Sequence, residues 1–479
     1  MSLDFTNEEF EQYIHKAAAI VEELYSEKLN RNVFAGKSAT EVASLFEERI
    51  PENGLDPIEL LEKVRTDIVG ASTMNIGPNF YGYITGGGNQ IAILADMIAA
   101  ALNQNNLKWH SSPVSTELEN RVIKWICQFI GYPDTAMGAI LDGGSTANFN
   151  ALAVARKNMA PEGMSEEGMY NQKPMTIYVS EQGHSSLDKA GDMLGIGKKY
   201  LRKVKTNDRF QMDLTDLENQ IRIDKNRGLY PICVVGIAGT TNTGAVDDLK
   251  GIAAIAKKHE LWYHIDAAYG GPAAKVDSVR QLFDGLELAD SIVIDPHKWM
   301  YIPFEAGCFI VKNREKLRRT FSTIPDYLRS EQDDDGRTDM MEYQLPLTKS
   351  FKSLKVWMTL KAYGAKRLKE TIQEDMNHAK YLAELVEESE DFELLAPVPL
   401  SIVVFRYVPK GVSESKIEEI NKWLLPVIEK DGRIFLTGTK VSGKTALRTC
   451  FINPRTQMKH VKNILDVIRN LGTSVVKKS

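Results

Sequence analysis

The chain has 479 residues, of which 43% are hydrophobic and 26% charged, and its net charge at pH 7 is −5. This length exceeds what one hydrophobic core usually organises, so two or three domains are expected. The acidic balance argues against nucleic acid or a membrane surface as a partner. The four cysteines lack the paired spacing of a zinc site or a disulfide framework, which predicts reduced thiols. With neither a secretion signal nor a membrane-length apolar run, the pattern predicts a cytoplasmic protein.

The first 89 residues are predicted to form a helical segment that ends in a loop. Apolar residues recur at a helical period between positions 7 and 30, and Thr6 with Glu9 resembles a capping box. Positions 75–89 then form a loop rich in Gly, Asn and aromatic residues.

Strand-like runs alternate with helical patterns from about residue 90 to 320. The strand candidates are 139–141, 176–179, 232–237, 262–265, 291–294 and 308–311. Such alternation predicts an α/β domain with a mostly parallel sheet wrapped by helices. After residue 353 the pattern becomes helical and then adds short strands. The predicted division is therefore an N-terminal segment (1–89), a large domain (90–355) and a small α+β domain (356–479).

Two residues at predicted strand ends indicate the chemistry. Lys298 follows the β-branched run 291–294, and Asp266 closes the apolar run 261–265. In an open α/β sheet, ligands collect at the strands' carboxyl ends. A lysine that forms a Schiff base and an aspartate that holds a pyridinium nitrogen are what a pyridoxal 5'-phosphate (PLP) enzyme needs. The pairing therefore predicts a PLP site.

Three further loops follow predicted strands and could complete that site. Gly143, Gly144 and Ser145 lie between a strand and a helix, where backbone amides can cradle a phosphate. His184 could stack on the pyridine ring, although a lone histidine more often has a structural role. Thr241 follows another strand and could lie near the cofactor, or in an ordinary turn. These strand-end sites thus converge on one ligand.

As a set, these motifs resemble the group II PLP-dependent amino-acid decarboxylases, and the pattern is most similar to the aromatic-L-amino-acid decarboxylases. The motifs are Gly-Gly-Ser-Thr-Ala-Asn (143–148), His-Ser-Ser (184–186), Gly-Thr-Thr (239–241), His-Ile-Asp-Ala-Ala-Tyr (264–269) and Asp-Pro-His-Lys-Trp (295–299). Segments 112–119 and 344–351 extend the resemblance over nearly the whole chain. It implies fold type I of PLP enzymes and a homodimer with active sites at the subunit interface.

The resemblance also implies a role for each site residue. Lys298 would carry PLP, Asp266 would pair with the ring nitrogen, and His184 would stack on the ring. The remaining cofactor contacts that it implies are Gly144, Ser145, Thr241, Ala268, Asp295 and His297. Tyr327 matches the family's catalytic lid tyrosine, which would reach the neighbouring subunit's site and return a proton to Cα after carbon dioxide leaves. The acidic stretch 330–339 is either a solvated loop or an active-site lid, and the lid is favoured because Tyr327 and the segment 344–346 flank it.

The substrate is predicted to be an aromatic L-amino acid of the tryptophan, tyrosine or phenylalanine type. The candidate pocket residues are Phe80, Tyr83, Trp109 and Thr348. Departures from the aromatic pattern at 83–86 and 348–350 leave a short acidic or diamino substrate open. Two other hypotheses are a PLP-dependent aldehyde synthase, against which the tyrosine at 327 argues, and a non-catalytic scaffold on the same fold.

Overall fold

A computed structural model of the chain describes residues 3–26, 29–170, 172–322 and 336–476. Within these ranges seven strands form one sheet, in the order β1-β7-β6-β5-β4-β2-β3. The strands are β1 (Met137–Leu141), β2 (Met175–Ser180), β3 (Leu201–Val204), β4 (Tyr230–Ile237), β5 (Trp262–Asp266), β6 (Ser291–Ile294) and β7 (Gly307–Val311). Only β7 runs antiparallel to its neighbours. The predicted mostly parallel α/β sheet is confirmed.

Helices cover both faces of this sheet. They are α4 (Gln90–Leu102), α5 (Pro113–Ile130), α6 (Gly144–Met159), α7 (Met164–Glu167), α8 (Ser185–Met193), α9 (Leu214–Asn226), α10 (Leu249–His259) and α11 (Arg314–Phe321). One buried apolar cluster includes side chains of α5, α9 and α10, and a second includes those of α6, α8 and α11. Because both faces are covered, the central strands are continuous apolar runs rather than alternating ones.

The N-terminal segment contains α1 (Asn7–Tyr25), α2 (Ala39–Ser44) and α3 (Pro57–Lys63). The capping box expected at Thr6 and Glu9 is present. The side chain of each residue accepts a hydrogen bond from the backbone N–H of the other. The following loop packs on the C-terminal part of the chain, because Tyr81 donates its backbone N–H to Phe435 and accepts one from Cys450.

The C-terminal part contains a second, antiparallel sheet in the order β10-β11-β9-β8. Its elements are α12 (Ser353–Glu387), β8 (Phe392–Leu394), β9 (Ile402–Tyr407), α13 (Glu414–Asp431), β10 (Thr437–Val441), β11 (Lys444–Cys450) and α14 (Met458–Val476). Gly364, with φ of 72°, interrupts α12, which contacts α4 and α5 as well as β8 and β9. The predicted boundary at residue 356 lies inside this helix, so the division into domains stays a prediction. None of the described helices is long and apolar enough to cross a membrane.

Candidate active site

A cavity of about 470 Å³ opens at the carboxyl ends of the strands in the large sheet. Its walls come from the segments that follow β1, β2, β4, β5 and β6, since parallel strands present their carboxyl ends at one edge. Nine of the predicted site residues line it: Gly144, Ser145, His184, Thr241, Asp266, Ala268, Asp295, His297 and Lys298. The structure therefore brings this set together, although the role of each residue stays a prediction.

Lys298 lies in the turn after β6, and its Nζ is 2.9 Å from Oδ2 of Asp295. Burial acts to lower the pKa of the Lys298 amine, but the charges of Asp295 and Asp266 offset this and leave the pKa above its ordinary value. The amine is therefore a protonated cation at neutral pH, held by a buried carboxylate.

Asp266 is the last residue of β5 and is buried. Its Oδ2 accepts a hydrogen bond from Nδ2 of Asn148 at 3.0 Å, and its Oδ1 accepts one from the Ala268 backbone at 3.2 Å. These two donors fix the plane of the carboxylate at the cavity wall.

His184 caps the N-terminus of α8, and this contact orients its ring. The backbone N–H of Ser186 donates to Nδ1 at 3.2 Å, and the Ser186 hydroxyl lies 2.9 Å from the same nitrogen. Because Nδ1 accepts, the ring proton is on Nε2. Burial lowers the pKa of His184, so the ring is neutral at pH 7.

The first turn of α6 forms another wall of the cavity. Gly143 precedes this helix and provides no side-chain cap. Gly144 donates its N–H to Oδ2 of Asp295 at 3.1 Å, and a Cβ at this position would lie 2.6 Å from that oxygen. The close approach requires glycine. Ser145 and Thr146 line the cavity beside it, with first-turn N–H groups of the kind that bind anions.

His297 and Asp295 complete this end of the cavity. Nδ1 of His297 accepts from the Ala306 backbone at 3.1 Å, so its proton is on Nε2, 3.6 Å from Oδ2 of Asp295. Burial lowers the pKa of His297 to about 4 and keeps the ring neutral. Oδ1 of Asp295 is buried without a hydrogen-bond partner, an exception that a bound polar ligand would remove.

Comparison with known proteins decides the family. Residues 40–408 match the model of the pyridoxal-dependent decarboxylase conserved domain. The chain belongs to this family. It is thus a PLP-dependent amino-acid decarboxylase, a carboxy-lyase with the type I fold.

Relatives over the full length agree with this assignment. The decarboxylase is 31% identical over 476 residues to an aromatic-L-amino-acid decarboxylase of Bacillus atrophaeus, covering 99% of this chain and 98% of that one. It is 32% identical over 437 residues to a phenylacetaldehyde synthase of Petunia hybrida, covering 88% and 86%. A crystal structure of Oryza sativa TDC with PLP and tryptamine superposes with a TM-score of 0.93 at 26% identity, covering 99% and 100%.

The cavity fits the cofactor that the family uses. A primary amine at Lys298 could bind the aldehyde, and the buried carboxylate of Asp266 could accept from the protonated ring nitrogen. The first turn of α6, with its uncapped amides, could take the phosphate. Each chemical group of PLP therefore has a matching group in the cavity.

The four predicted substrate residues lie outside this cavity in a single chain of the decarboxylase. Phe80 is buried and stacks on Phe435 with ring centroids 5.1 Å apart. Tyr83 is 58% exposed and Thr348 is exposed. Nε1 of Trp109 donates to the carboxylate of Glu117 at 3.0 Å. Their assignment to the substrate stays a prediction, and Tyr327 lies outside the described residues, as does most of the predicted lid.

Sequence reasoning did not single out three residues that matter to the site's geometry. Asn148 and His264 lie behind Asp266, and Phe304, 54% exposed, forms the cavity rim. Asn148 is the last residue of the Gly-Gly-Ser-Thr-Ala-Asn motif, one helical turn after Ser145, so it faces the same side of α6. The spacing of Asn148 from Ser145 was the sequence feature that could have predicted its place near the site.

Proposed function

We propose that this enzyme converts an aromatic L-amino acid of the tryptophan, tyrosine or phenylalanine type to its amine and carbon dioxide. The observation that carries the proposal is the meeting of Lys298 and Asp266, with His184 between α8 and the cavity, at one edge of the sheet. The aromatic substrate class is supported by the relatives, several of which are named for tyrosine, tryptophan or aromatic amino acids.

The cofactor, when bound, supplies a sink for the electron pair left by departing carbon dioxide. Lys298 would hold the cofactor through its amine, which the substrate amine then replaces. Asp266, ionised and oriented by two donors, would keep the ring nitrogen protonated. Neutral His184 would pack on the ring with its Nε2–H directed away from α8, and Ala268 would contact the opposite face.

The phosphate end is proposed to be held by Gly144 and Ser145 at the start of α6. Asp295 and His297 would lie beside it, and Thr241 would lie near Asp266. The backbone carbonyl of Thr241 accepts from Nη1 of Arg448 at 2.9 Å, which ties this loop to β11.

Proton return at Cα is assigned to Tyr327, whose phenol is a general acid of suitable type. Aldehyde synthesis is the second candidate function, because one of the relatives is a phenylacetaldehyde synthase. A tyrosine at 327 favours amine as the product, since the proton it delivers ends the reaction before oxygen can enter.

A homodimer is proposed as the working unit. On the described surface α4 exposes four large apolar side chains: Leu94, Met97, Ile98 and Leu102. Tyr83, Val114 and Leu347 are also more than half exposed. Several large apolar side chains exposed on one helix are typical of an interface. The predicted substrate residues lie outside the cavity of their own chain. In a homodimer, those of the partner subunit would form the substrate-binding wall of the cavity.

We also infer a cytoplasmic location, supported by four cysteines that are all free and buried. The scaffold hypothesis is excluded by the family, whose members share the chemistry of the site.

The first experiment identifies the cofactor lysine and the substrate. Borohydride reduction followed by peptide mapping should find the pyridoxyl group on Lys298, and a tag on another lysine would reject the site. A panel of about twenty amino acids should then give most amine and carbon dioxide from aromatic substrates. Faster turnover of glutamate, aspartate or diaminobutyrate would contradict the aromatic assignment and indicate an acidic or diamino substrate.

A second experiment tests the shared site. Lys298→Ala and Tyr327→Phe are each purified and then mixed under conditions that exchange subunits. If Tyr327 serves the neighbouring subunit, the mixed dimer regains one site with both native residues, and amine formation returns. If the tyrosine serves its own subunit, every site lacks one residue and mixing changes nothing. Each variant alone is the matched control.

A further inference from the structure

A row of buried polar side chains leads away from Asp266 into the protein. Nδ2 of Asn148 donates to Oδ2 of Asp266 at 3.0 Å, and Oδ1 of Asn148 lies 3.0 Å from Nε2 of His264. Nδ1 of His264 lies 2.9 Å from the hydroxyl of Ser291, which accepts from Nε1 of Trp262 at 2.8 Å. Of the five residues in this row, the proposed function gives a role in the chemistry only to Asp266.

The two ends of the row fix the direction of every hydrogen bond in it. An indole N–H can only donate, so the Ser291 oxygen accepts from Trp262, and the Ser291 proton goes to Nδ1 of His264 if the neutral ring carries its own proton on Nε2. At the other end, an ionised carboxylate can only accept, so Asn148 presents its amide nitrogen to Asp266. Its carbonyl oxygen then faces His264, and Nε2 of that ring must carry the proton.

This direction defines one tautomer of His264. The ring is neutral with its proton on Nε2, and burial lowers its pKa to about 4, although Asp266 acts to raise it. All bonds of the row point toward Asp266, and aligned hydrogen bonds polarise one another in a buried setting. The row therefore directs its last N–H, that of Asn148, at the Asp266 carboxylate and fixes the orientation of that carboxylate.

Asn148 also links Asp266 to the ring-stacking histidine. Its Nδ2 lies 3.3 Å from the hydroxyl of Ser186, which lies 2.9 Å from Nδ1 of His184. The second amide proton of Asn148 can thus go to Ser186, whose own proton goes to His184. One amide orients both residues that would contact the pyridine ring.

We propose that His264 and Asn148 are positioning residues that keep Asp266 ionised and aimed at the pyridine nitrogen of the cofactor. The proposal rests on the role assigned to Asp266 above and adds what sustains that role. Neither residue would touch the substrate. Their effect would be read in the protonation of the ring nitrogen and in kcat.

The test compares His264→Leu with His264→Gln. Leucine removes the donor to Asn148, whereas the amide nitrogen of glutamine can reach the place of Nε2 and donate in its stead. Thr176→Val is the matched control, because Thr176 carries a fully buried hydroxyl on strand β2, which β4 separates from β5, and its partner is Tyr178, away from the cavity. All variants are reconstituted with PLP labelled with ¹⁵N in the ring.

The ¹⁵N resonance reports whether the ring nitrogen is protonated. We expect the protonated position in the native enzyme, His264→Gln and Thr176→Val, and a shift toward the unprotonated position in His264→Leu. We expect kcat of His264→Leu to fall about tenfold or more with KM within about twofold, a change confined to the chemical step. A native resonance and kcat in His264→Leu would overturn the proposal.

A second variant covers the case in which His264→Leu does not fold. Asn148→Ala removes the donor to Asp266 itself and should shift the ¹⁵N resonance in the same direction. An unshifted resonance in folded Asn148→Ala would also overturn the proposal. Failure of the proposed function is separate, because it would appear in the native enzyme as absent pyridoxyl labelling or absent carbon dioxide release.

Discussion

Replacing Lys349 by methionine should destabilise the enzyme strongly, because it would leave a carboxylate buried without its cation. Nζ of Lys349 lies 2.5 Å from Oε1 of Glu119, and the two side chains are 2% and 0% exposed. Nζ also donates to Gln344 at 2.8 Å, while Glu119 accepts from Asn106 at 2.6 Å and from the Ile140 backbone at 2.9 Å. Burial lowers the pKa of Lys349, and Glu119 acts against that shift.

The magnitude follows from two opposing terms. At 2.5 Å and an effective dielectric constant of 20, two unit charges attract by about 7 kcal/mol. Removing each ion from water costs several kcal/mol, so the intact pair contributes little net stability. In Lys349→Met the attraction is lost but the cost of burying Glu119 remains. The expected loss in free energy of unfolding is about 3–5 kcal/mol.

Urea unfolding of PLP-saturated enzyme, followed by tryptophan fluorescence, measures this loss as a shift in midpoint. The double variant Glu119→Gln with Lys349→Met should be more stable than Lys349→Met alone, because it has no uncompensated charge. Lys366→Met is the matched control, since its salt bridge with Glu370 is exposed and such pairs are worth about 0–1 kcal/mol. A Lys349→Met variant within about 1 kcal/mol of the native enzyme would refute the argument.

Two further changes test the site, and a third tests a buried carboxylate outside the cavity. Asp266→Asn should retain PLP but lose on the order of a hundredfold or more in rate, and a near-normal kcat would refute its role. Tyr327→Phe should release aldehyde, ammonia and hydrogen peroxide in place of much of the amine; amine at the native rate without aldehyde would make Tyr327 an ordinary residue. Asp375 accepts from Trp299 and Tyr301, and burial raises its pKa to about 8. Because folding favours its protonated form, its contribution to stability is lost as pH rises toward 8. Between pH 5 and 9, the free energy of unfolding measured in urea should therefore fall less in Asp375→Asn than in the native enzyme. An equal fall in both proteins would contradict this.

The cavity residues could be predicted from sequence because the information is local. Ser291–Ile294 is a strand in the structure as predicted, and the lysine follows it by four residues. Apolar β-branched runs that end in a polar residue give both the strand and its exit. Since parallel strands place their exits at one edge, residues far apart in sequence, such as Gly144 and Lys298, could be assigned to one cavity before any contact was known.

Other features depend on packing that a sequence pattern does not contain. Strand β3 was not predicted, because Leu201–Val204 has only four residues and two of them are polar. The link between Asn148 and His264 spans 116 positions and is visible only once α6 lies across β5. Likewise α12 continues past the predicted boundary at 356, since a helix that contacts α4 and α5 as well as β8 and β9 has no composition change where one set of contacts gives way to the other.

The two carboxylates of the cavity show why residue type alone does not define a role. Asp266 closes β5 and Asp295 directly follows β6, so both lie at strand ends, although the sequence predicts contact with the ring nitrogen for Asp266 only. Their partners differ: Asp295 contacts the ammonium of Lys298, whereas Asp266 receives a neutral amide from Asn148. A carboxylate already paired with a cation is a weaker acceptor for a second one. Asp266 is held by neutral donors alone, so the proposed contact with a cationic ring nitrogen would give it the kind of partner that Asp295 already has.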